Sequence, residues 1–188
     1  MVDAIGEPAN LFGHSFGGIC SLEAALCTQH IYRLVLYEPP IPVVGIQIYP
    51  DAVIDRLQAL LRAGDREGLL TIFMSDVVRM LPHEIELSKS MPAWPARVAA
   101  AHTLPRELRV HEGYRFKPSR FKALTIPTLL LVGGESPQFF KAAIETLHQT
   151  LPNSRIVILP GQQHIAMETA PDLLVREVSA FLLSKNQT

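Results

Sequence analysis

Four short apolar stretches of the chain alternate with stretches that have a helical pattern. The apolar stretches cover residues 9–13, 33–37, 128–132 and 155–159. They lack polar alternation, which is typical of parallel strands covered on both faces. Helical patterns follow at residues 16–29, 139–151 and 171–183. Strands that alternate with helices in this way predict an α/β protein built on a parallel sheet.

A section of different character separates the second and third predicted strands. Residues 46–111 contain helix-like patterns such as "DAVIDRLQALLRAG" and "DREGLLTIFMSDVVRML", punctuated by prolines and without a convincing strand. We therefore predict a helical insertion over 46–111. The sheet-containing core is predicted to consist of residues 1–45 and 112–188.

Composition and charge narrow the class of protein. The chain has 188 residues, of which 48% are hydrophobic, and a formal net charge of −1, as expected for a globular protein. Interspersed charges without a basic block give no electrostatic reason to expect nucleic acid or a membrane as a partner. No apolar run approaches the ~20 residues that span a bilayer, and no targeting segment is recognisable. We expect a cytoplasmic protein whose partner is a small uncharged molecule.

The cysteines and histidines do not suggest a metal site or a disulfide. Cys20 and Cys27 are seven positions apart on a predicted helix, hence ~10 Å apart, which is too far for a disulfide. We expect both to be buried as small hydrophobic residues. The seven histidines are scattered without the spacing of metal ligands. We therefore expect neither a metal nor another cofactor.

A serine between two glycines, Gly13-His14-Ser15-Phe16-Gly17, lies where the first predicted strand meets the first predicted helix. A Gly-x-Ser-x-Gly sequence in a strand-turn-helix forces the serine into a strained turn and lifts its hydroxyl clear of the sheet. Gly13 and Gly17 are expected to allow close approach of neighbouring backbone. The N–H of Phe16 could stabilise a developing oxyanion. Ser15 is the candidate nucleophile, and a helix-capping serine is the alternative.

A nucleophilic serine needs a base, and His164 is the candidate. It lies in "LPGQQHIAMETAP", between the last predicted strand and the last predicted helix. Because the carboxyl ends of parallel strands meet at one edge of a sheet, His164 and Ser15 are expected at the same edge. The other six histidines are expected to be ordinary solvated residues.

Four motifs together resemble those of one family. They are "GHSFGG", "RLVLYEPP", "IPTLLLVGGESP" and "LPGQQHIAMETAPDLLVREVSAFL". Over nearly its whole length the chain resembles the α/β-hydrolase superfamily, in the form of a serine hydrolase with a helical cap. The resemblance implies a three-layer αβα fold and a catalytic triad in the order serine, acid, histidine. A serine in the turn argues against the relatives that use aspartate there.

The identity of the acid is open. In many relatives an aspartate stands directly before the proline that follows the penultimate strand, but this chain has Ser136 there, which cannot balance a charged imidazole. Two carboxylates compete for the role. Glu38 ends the second predicted strand and is followed by two prolines, and it is our preferred candidate. Glu135, in the expected turn, is the alternative.

The resemblance also implies about four strands before the serine turn and a loop that supplies a second oxyanion donor. The chain starts just before the strand that leads to Ser15. We therefore expect a fold that lacks its amino-terminal strands and exposes residues 9–13 as a sheet edge. Such a chain is expected to be poorly stable, or to pair with a second copy or a complementing segment through that edge.

Two functions are consistent with these residues. The first is a serine hydrolase that acts on a small ester, lactone or amide through an acyl-enzyme, impaired where an oxyanion donor is missing. The alternative is a non-catalytic ligand-binding or interaction module, or an inactive fragment, that retains the serine turn.

Overall fold

The computed structural model describes residues 2–184 of the chain. Residues 1 and 185–188, which belong to the core predicted from the sequence, lie outside the described residues. The described residues form two compact units. One combines the described parts of 1–44 and 115–188, and the other consists of residues 45–114.

The first unit contains a sheet of four parallel strands. The strands are β1 (Ala9–His14), β2 (Ile31–Tyr37), β3 (Thr128–Gly133) and β4 (Ser154–Leu159). Their spatial order is the same as their order in the chain, and each neighbouring pair is parallel. Because parallel strands require a crossover connection, every link between them includes helical segments. The predicted parallel α/β class is confirmed.

The helices follow in chain order. They are α1 (Phe16–Ala24), α2 (Val53–Arg62), α3 (Arg66–Ile72), α4 (Pro82–Ser90), α5 (Trp94–Ala100), α6 (Leu104–Gly113), α7 (Gln138–Thr150), α8 (Ala166–Thr169) and α9 (Pro171–Leu182). A π-helical segment, Phe73–Val78, follows α3, and short 3-10 segments lie at Val2–Ile5, Ala101–Thr103 and Pro118–Arg120. Within residues 2–184, no helix is long and apolar enough to cross a membrane.

Both faces of the sheet are buried along its central strands β2 and β3, as the apolar pattern predicts, whereas the outer strands β1 and β4 are partly exposed, with Phe12 at 43% and Ile158 at 62%. On one face, Val35 and Leu131 belong to a cluster that also contains Phe181 of helix α9. Side chains alternate along a strand, so Leu34 and Leu130 point to the opposite face, where neither has any exposed surface. Fully burying one such leucine contributes about 1.5–3 kcal/mol to stability. The buried central strands β2 and β3 therefore hold the residues at their carboxyl ends in fixed positions.

Helix α1 is shorter than its sequence pattern predicts, because it ends at Ala24 rather than near residue 29. The hydroxyl of Thr28 donates to the carboxylate of Asp3 and accepts from the N–H of His30 at 3.1 Å. Side-chain bonds of this kind compete with helical backbone bonds. They favour a turn in place of the last predicted helical residues.

The two cysteines are exposed, so the prediction that they are buried is wrong. Helix α1 buries the face that carries Ile19 and Leu22, and Cys20 lies outside that face. Cys27 lies in the turn that follows the shortened helix, where its Sγ is 3.6 Å from the carbonyl of Glu23. Cys20 is exposed because a helix of nine residues cannot bury positions on every side, and Cys27 is exposed in the turn because the helix ends before it.

The second unit is helical, and its described residues contain no strand. Pro82, Pro95 and Pro105 occupy the first turns of α4, α5 and α6. A proline is tolerated there because the missing N–H would have no acceptor within the helix. These three prolines therefore mark where helices begin.

Candidate active site

The turn between β1 and α1 holds Ser15 in a rarely populated conformation, with φ 54° and ψ −130°. The N–H of Ser15 donates to the carbonyl of Tyr37 at 2.9 Å, and its carbonyl accepts from the N–H of Gly18 at 2.8 Å. A residue other than glycine keeps a positive φ only where its surroundings enforce it. Here the β2 strand on one side and the first turn of α1 on the other fix the backbone of Ser15.

The Ser15 hydroxyl is not used to cap the helix. Ser15 is the N-cap residue of α1, yet its side chain makes no capping hydrogen bond. Phe16 is the first residue of α1, so its N–H has no acceptor within the helix, and the helix dipole places partial positive charge there. The turn thus presents a half-buried hydroxyl next to a backbone donor.

The glycines of this turn differ in their roles. A Cβ at Gly13 would lie 2.5 Å from the Ser21 Oγ and 2.8 Å from the Gly18 Cα, so β1 and α1 pack too closely for a side chain. A Cβ at Gly18 would lie 3.0 Å from the Cβ of Pro39. A Cβ at Gly17 would meet no described atom within 4 Å. The expectation of a close approach at Gly17 is therefore wrong, and Gly18 has that role.

Glu38 follows β2 and also has a positive φ, 46°. Its N–H continues the sheet by donating to the carbonyl of Leu131 at 3.1 Å. Pro39 and Pro40 come next, and their fixed φ angles restrict how the chain leaves the strand. The side chain of Glu38 has no exposed surface.

Three groups donate hydrogen bonds to the buried carboxylate of Glu38. The Oε1 atom accepts from the N–H of Gly133 at 2.7 Å and from the Ser136 Oγ at 2.5 Å. The Oε2 atom lies 2.7 Å from the His164 Nδ1. A buried carboxylate is costly unless its oxygens are hydrogen-bonded, and here both oxygens of Glu38 have a partner.

His164 lies between β4 and α8 and is 5% exposed. Its ring is stacked on that of Phe140, with centroids 4.4 Å apart and planes 13° apart. Its carbonyl lies 2.9 Å from the His14 Nε2, and because a carbonyl can only accept, that nitrogen carries the hydrogen. The residue directly before Ser15 is therefore bonded to the backbone of His164.

The side chain of Tyr37 holds the loop that contains His164 through two hydrogen bonds. Its buried hydroxyl donates to the carbonyl of Gln163 and accepts from the N–H of Ala166 at 3.2 Å. These two backbone groups lie on either side of His164. Sequence reasoning did not identify this role, although the tyrosine stands directly before Glu38 in "YEPP".

Of the two candidate acids, the structure brings Glu38 to His164 and leaves Glu135 apart. Glu135 is exposed, and its N–H donates to the carbonyl of Gln162 at 3.0 Å. Its carboxylate makes no ion pair or hydrogen bond within residues 2–184. Sequence reasoning also missed Gly133 and Ser136, which donate to Glu38.

The helical unit holds a polar pocket of its own, lined by residues that include Tyr49, Asp55, Arg109 and Glu112. Burial raises the pKa of the Tyr49 hydroxyl above its ordinary value of 10.0, and the nearby charge of Glu112 raises it further. The hydroxyl lies 3.3 Å from the His111 Nδ1. Among the described residues of both units, no three His, Cys, Asp or Glu side chains are grouped so that they could hold a metal ion.

Comparisons with known proteins identify the family and the fold. A family model described as the alpha/beta hydrolase family matches residues 1–177. An alpha/beta hydrolase of known structure from Sphaerobacter thermophilus is 36% identical, with a TM-score of 0.80, over 96% of this chain and 70% of that protein. The structure of MenH from S. aureus has a TM-score of 0.72 at 22% identity, over 93% of this chain and 68% of that one, and shows the likeness of fold.

A relative in Bacillus subtilis is the uncharacterised hydrolase YugF, which is 27% identical over 186 residues. The match covers 94% of this chain and 66% of YugF, so the chain spans about two thirds of the length of that relative. With the family model matching 177 of 188 positions, the family is clear. The chain belongs to the α/β-hydrolase family.

Proposed function

We propose that this protein is a serine hydrolase in which Ser15 is the nucleophile, His164 the general base and Glu38 the acid that orients the base. The substrate class is a small ester, lactone or amide, and the reaction runs through an acyl-enzyme. Membership of a family of hydrolases supports hydrolysis as the reaction type.

The observation that carries the proposal is the 2.7 Å contact between the His164 Nδ1 and the Glu38 Oε2. The Glu38 Oε1 already accepts two hydrogen bonds, which leaves Oε2 to accept the imidazole N–H. With the hydrogen on Nδ1, the Nε2 of neutral His164 carries a lone pair. That tautomer is the one a general base for serine requires.

In the proposed mechanism, the Nε2 of His164 takes the proton of the Ser15 hydroxyl while Oγ attacks the substrate carbonyl. Glu38 stabilises the imidazolium, and the N–H of Phe16 donates to the oxyanion of the tetrahedral intermediate. The imidazolium then gives its proton to the leaving group. Water, activated by the same nitrogen, releases the acid product and restores Ser15.

The strained backbone of Ser15 supports its role as the nucleophile. A positive φ in a residue other than glycine costs on the order of 1–3 kcal/mol and is concentrated at functional sites. The hydrogen bond from His14 to the carbonyl of His164 supports proximity of the neighbouring Ser15 to the base. The absence of a capping bond leaves the hydroxyl available for reaction.

The test is labelling by a fluorophosphonate probe, which reacts with activated serines. We expect the folded wild-type chain to be labelled, Ser15→Ala to be unlabelled, and Ser119→Ala, at an exposed serine, to be labelled like the wild type. Folding of each variant is checked by circular dichroism. Folded wild-type protein that resists the probe would contradict the proposal and favour a non-catalytic binding module.

A further inference from the structure

Ser136 occupies the turn position at which the family resemblance places an acid, but it contributes a hydroxyl instead. Its side chain is almost fully buried, and its Oγ lies 2.5 Å from the Glu38 Oε1. The acidic group and this hydroxyl come from the ends of the neighbouring strands β2 and β3. Ser136, which stands where many relatives have the acid, is therefore in direct contact with the candidate acid Glu38.

The carboxylate of a glutamate needs such a contact to keep one orientation. The last side-chain torsion of glutamate is broad, so the torsion alone does not fix the plane of the two oxygens. The N–H of Gly133 and the Ser136 Oγ both bond to Oε1, which leaves Oε2 for the His164 Nδ1. Two donors on one oxygen define the plane of the carboxylate better than one.

Ser136 is itself held in place by the turn. Its N–H donates to the carbonyl of Gly133 at 3.2 Å, and Pro137 follows directly before α7. A Cβ at Gly133 would lie 2.5 Å from the Ser136 Oγ and 2.2 Å from the carbonyl oxygen of Gln162. This close packing leaves the hydroxyl little freedom, so it can hold the carboxylate in turn.

We propose that Ser136 is a positioning residue, whose hydroxyl orients the Glu38 carboxylate so that its second oxygen receives the Nδ1–H of His164. This inference rests on the proposed serine-hydrolase function and adds a residue to its machinery. Ser136 touches the acid and has no direct role toward the substrate.

The kinetic test compares Ser136→Ala with Ser136→Thr by fluorophosphonate labelling of Ser15. Ser136→Ala removes a donor to a charged acceptor, and we expect the maximal labelling rate to fall roughly tenfold with unchanged probe affinity. Ser136→Thr keeps the hydroxyl, so its rate is expected to stay within about threefold of the wild type. Ser88→Ala, at a fully buried serine of the helical unit, is the matched control and should label at the wild-type rate.

Two kinetic outcomes would overturn the inference. One is a folded Ser136→Ala variant that labels as fast as the wild type. The other is a folded Ser136→Thr variant that keeps wild-type stability, which excludes overpacking by the added methyl, and yet labels as slowly as Ser136→Ala.

A spectroscopic test separates this inference from the proposed function. The proton between the His164 Nδ1 and the Glu38 Oε2 should give a low-field NMR resonance in the wild type, assigned by its loss in Glu38→Gln. We expect Ser136→Ala to shift or broaden that resonance and Ser88→Ala to leave it in place. An unlabelled wild type would refute the hydrolase function, whereas an unshifted resonance in Ser136→Ala would refute the positioning role.

Discussion

The residues that follow the neighbouring strands β1 and β2 have similar backbone conformations, but their side chains differ in hydrogen bonding. Ser15 and Glu38 both have a positive φ, 54° and 46°, and both donate their N–H to the next strand of the sheet. After that the two ends differ. The Ser15 side chain makes no capping hydrogen bond, whereas the Glu38 carboxylate accepts from Gly133, Ser136 and His164.

The difference between the two strand ends corresponds to the difference in their proposed roles. A nucleophilic oxygen needs its lone pair for the substrate carbonyl, so a capping hydrogen bond to that oxygen would oppose the reaction. A supporting carboxylate has to keep one position through every step, so complete hydrogen bonding serves it. The two strand ends thus share a positive φ, but only at Glu38 do hydrogen bonds hold the side chain in place.

The largest expected effect comes from replacing the buried Glu38, and the exposed Glu135 is the comparison. Glu38→Gln replaces the carboxylate with a neutral amide that can no longer hold His164 in the correct tautomer, so we expect the labelling rate of Ser15 to fall by about 10³–10⁴. Glu135→Gln should change the rate by less than about twofold, since the exposed Glu135 carboxylate is not bonded to His164. A larger loss in Glu135→Gln than in Glu38→Gln would reverse our assignment of the acid.

The next test concerns the two glycines that flank Ser15. Gly13→Ala would place a Cβ 2.8 Å from the backbone of Gly18, so we expect a loss of about 2–3 kcal/mol in the free energy of unfolding. Gly17→Ala meets open space, and reduced backbone entropy in the unfolded chain should raise stability by about 0.5 kcal/mol. Chemical denaturation measures both changes. Equal losses in the two variants would mean that the packing of β1 on α1 is not the reason for Gly13.

A smaller effect is expected at Tyr37, which supports the loop of His164. Tyr37→Phe leaves the buried carbonyl of Gln163 and the N–H of Ala166 without this partner, which should cost about 1–2 kcal/mol of stability. Tyr32→Phe, at a half-exposed tyrosine of the same strand, is the control and should change stability by less than about 0.5 kcal/mol. Thermal unfolding compares the two, and similar melting temperatures would argue against a buried tyrosine bond.

The sequence predicted the features that depend on local pattern. Apolar runs without alternation gave the four parallel strands, and the motif around Ser15 gave the strand-turn-helix. The sequence also placed His164 in the loop between the last strand and the last helix. These features follow from a few consecutive residues, and tertiary contacts did not override them.

The sequence could not predict the features that depend on the register between strands. Residue Tyr37 pairs with Leu131, and this alignment brings Glu38 level with the end of β3. Only then does Ser136 contact the Glu38 carboxylate, because the two residues are 98 positions apart in the chain. The exposure of Cys20 and the open space at Gly17 were missed for a similar reason, since both depend on which side of α1 faces the sheet.

The separation of Glu38 and His164 has a consequence for biosynthesis. The two residues are 126 positions apart, so at 5–20 residues per second a ribosome makes the base about 6–25 s after the acid. During that interval the nascent chain contains Ser15 and Glu38 but lacks the base with which they are proposed to act, although Gly133 and Ser136, the other partners of Glu38, are made before it. The proposed hydrolysis therefore cannot begin until strand β4 and the following loop with His164 have been translated and folded.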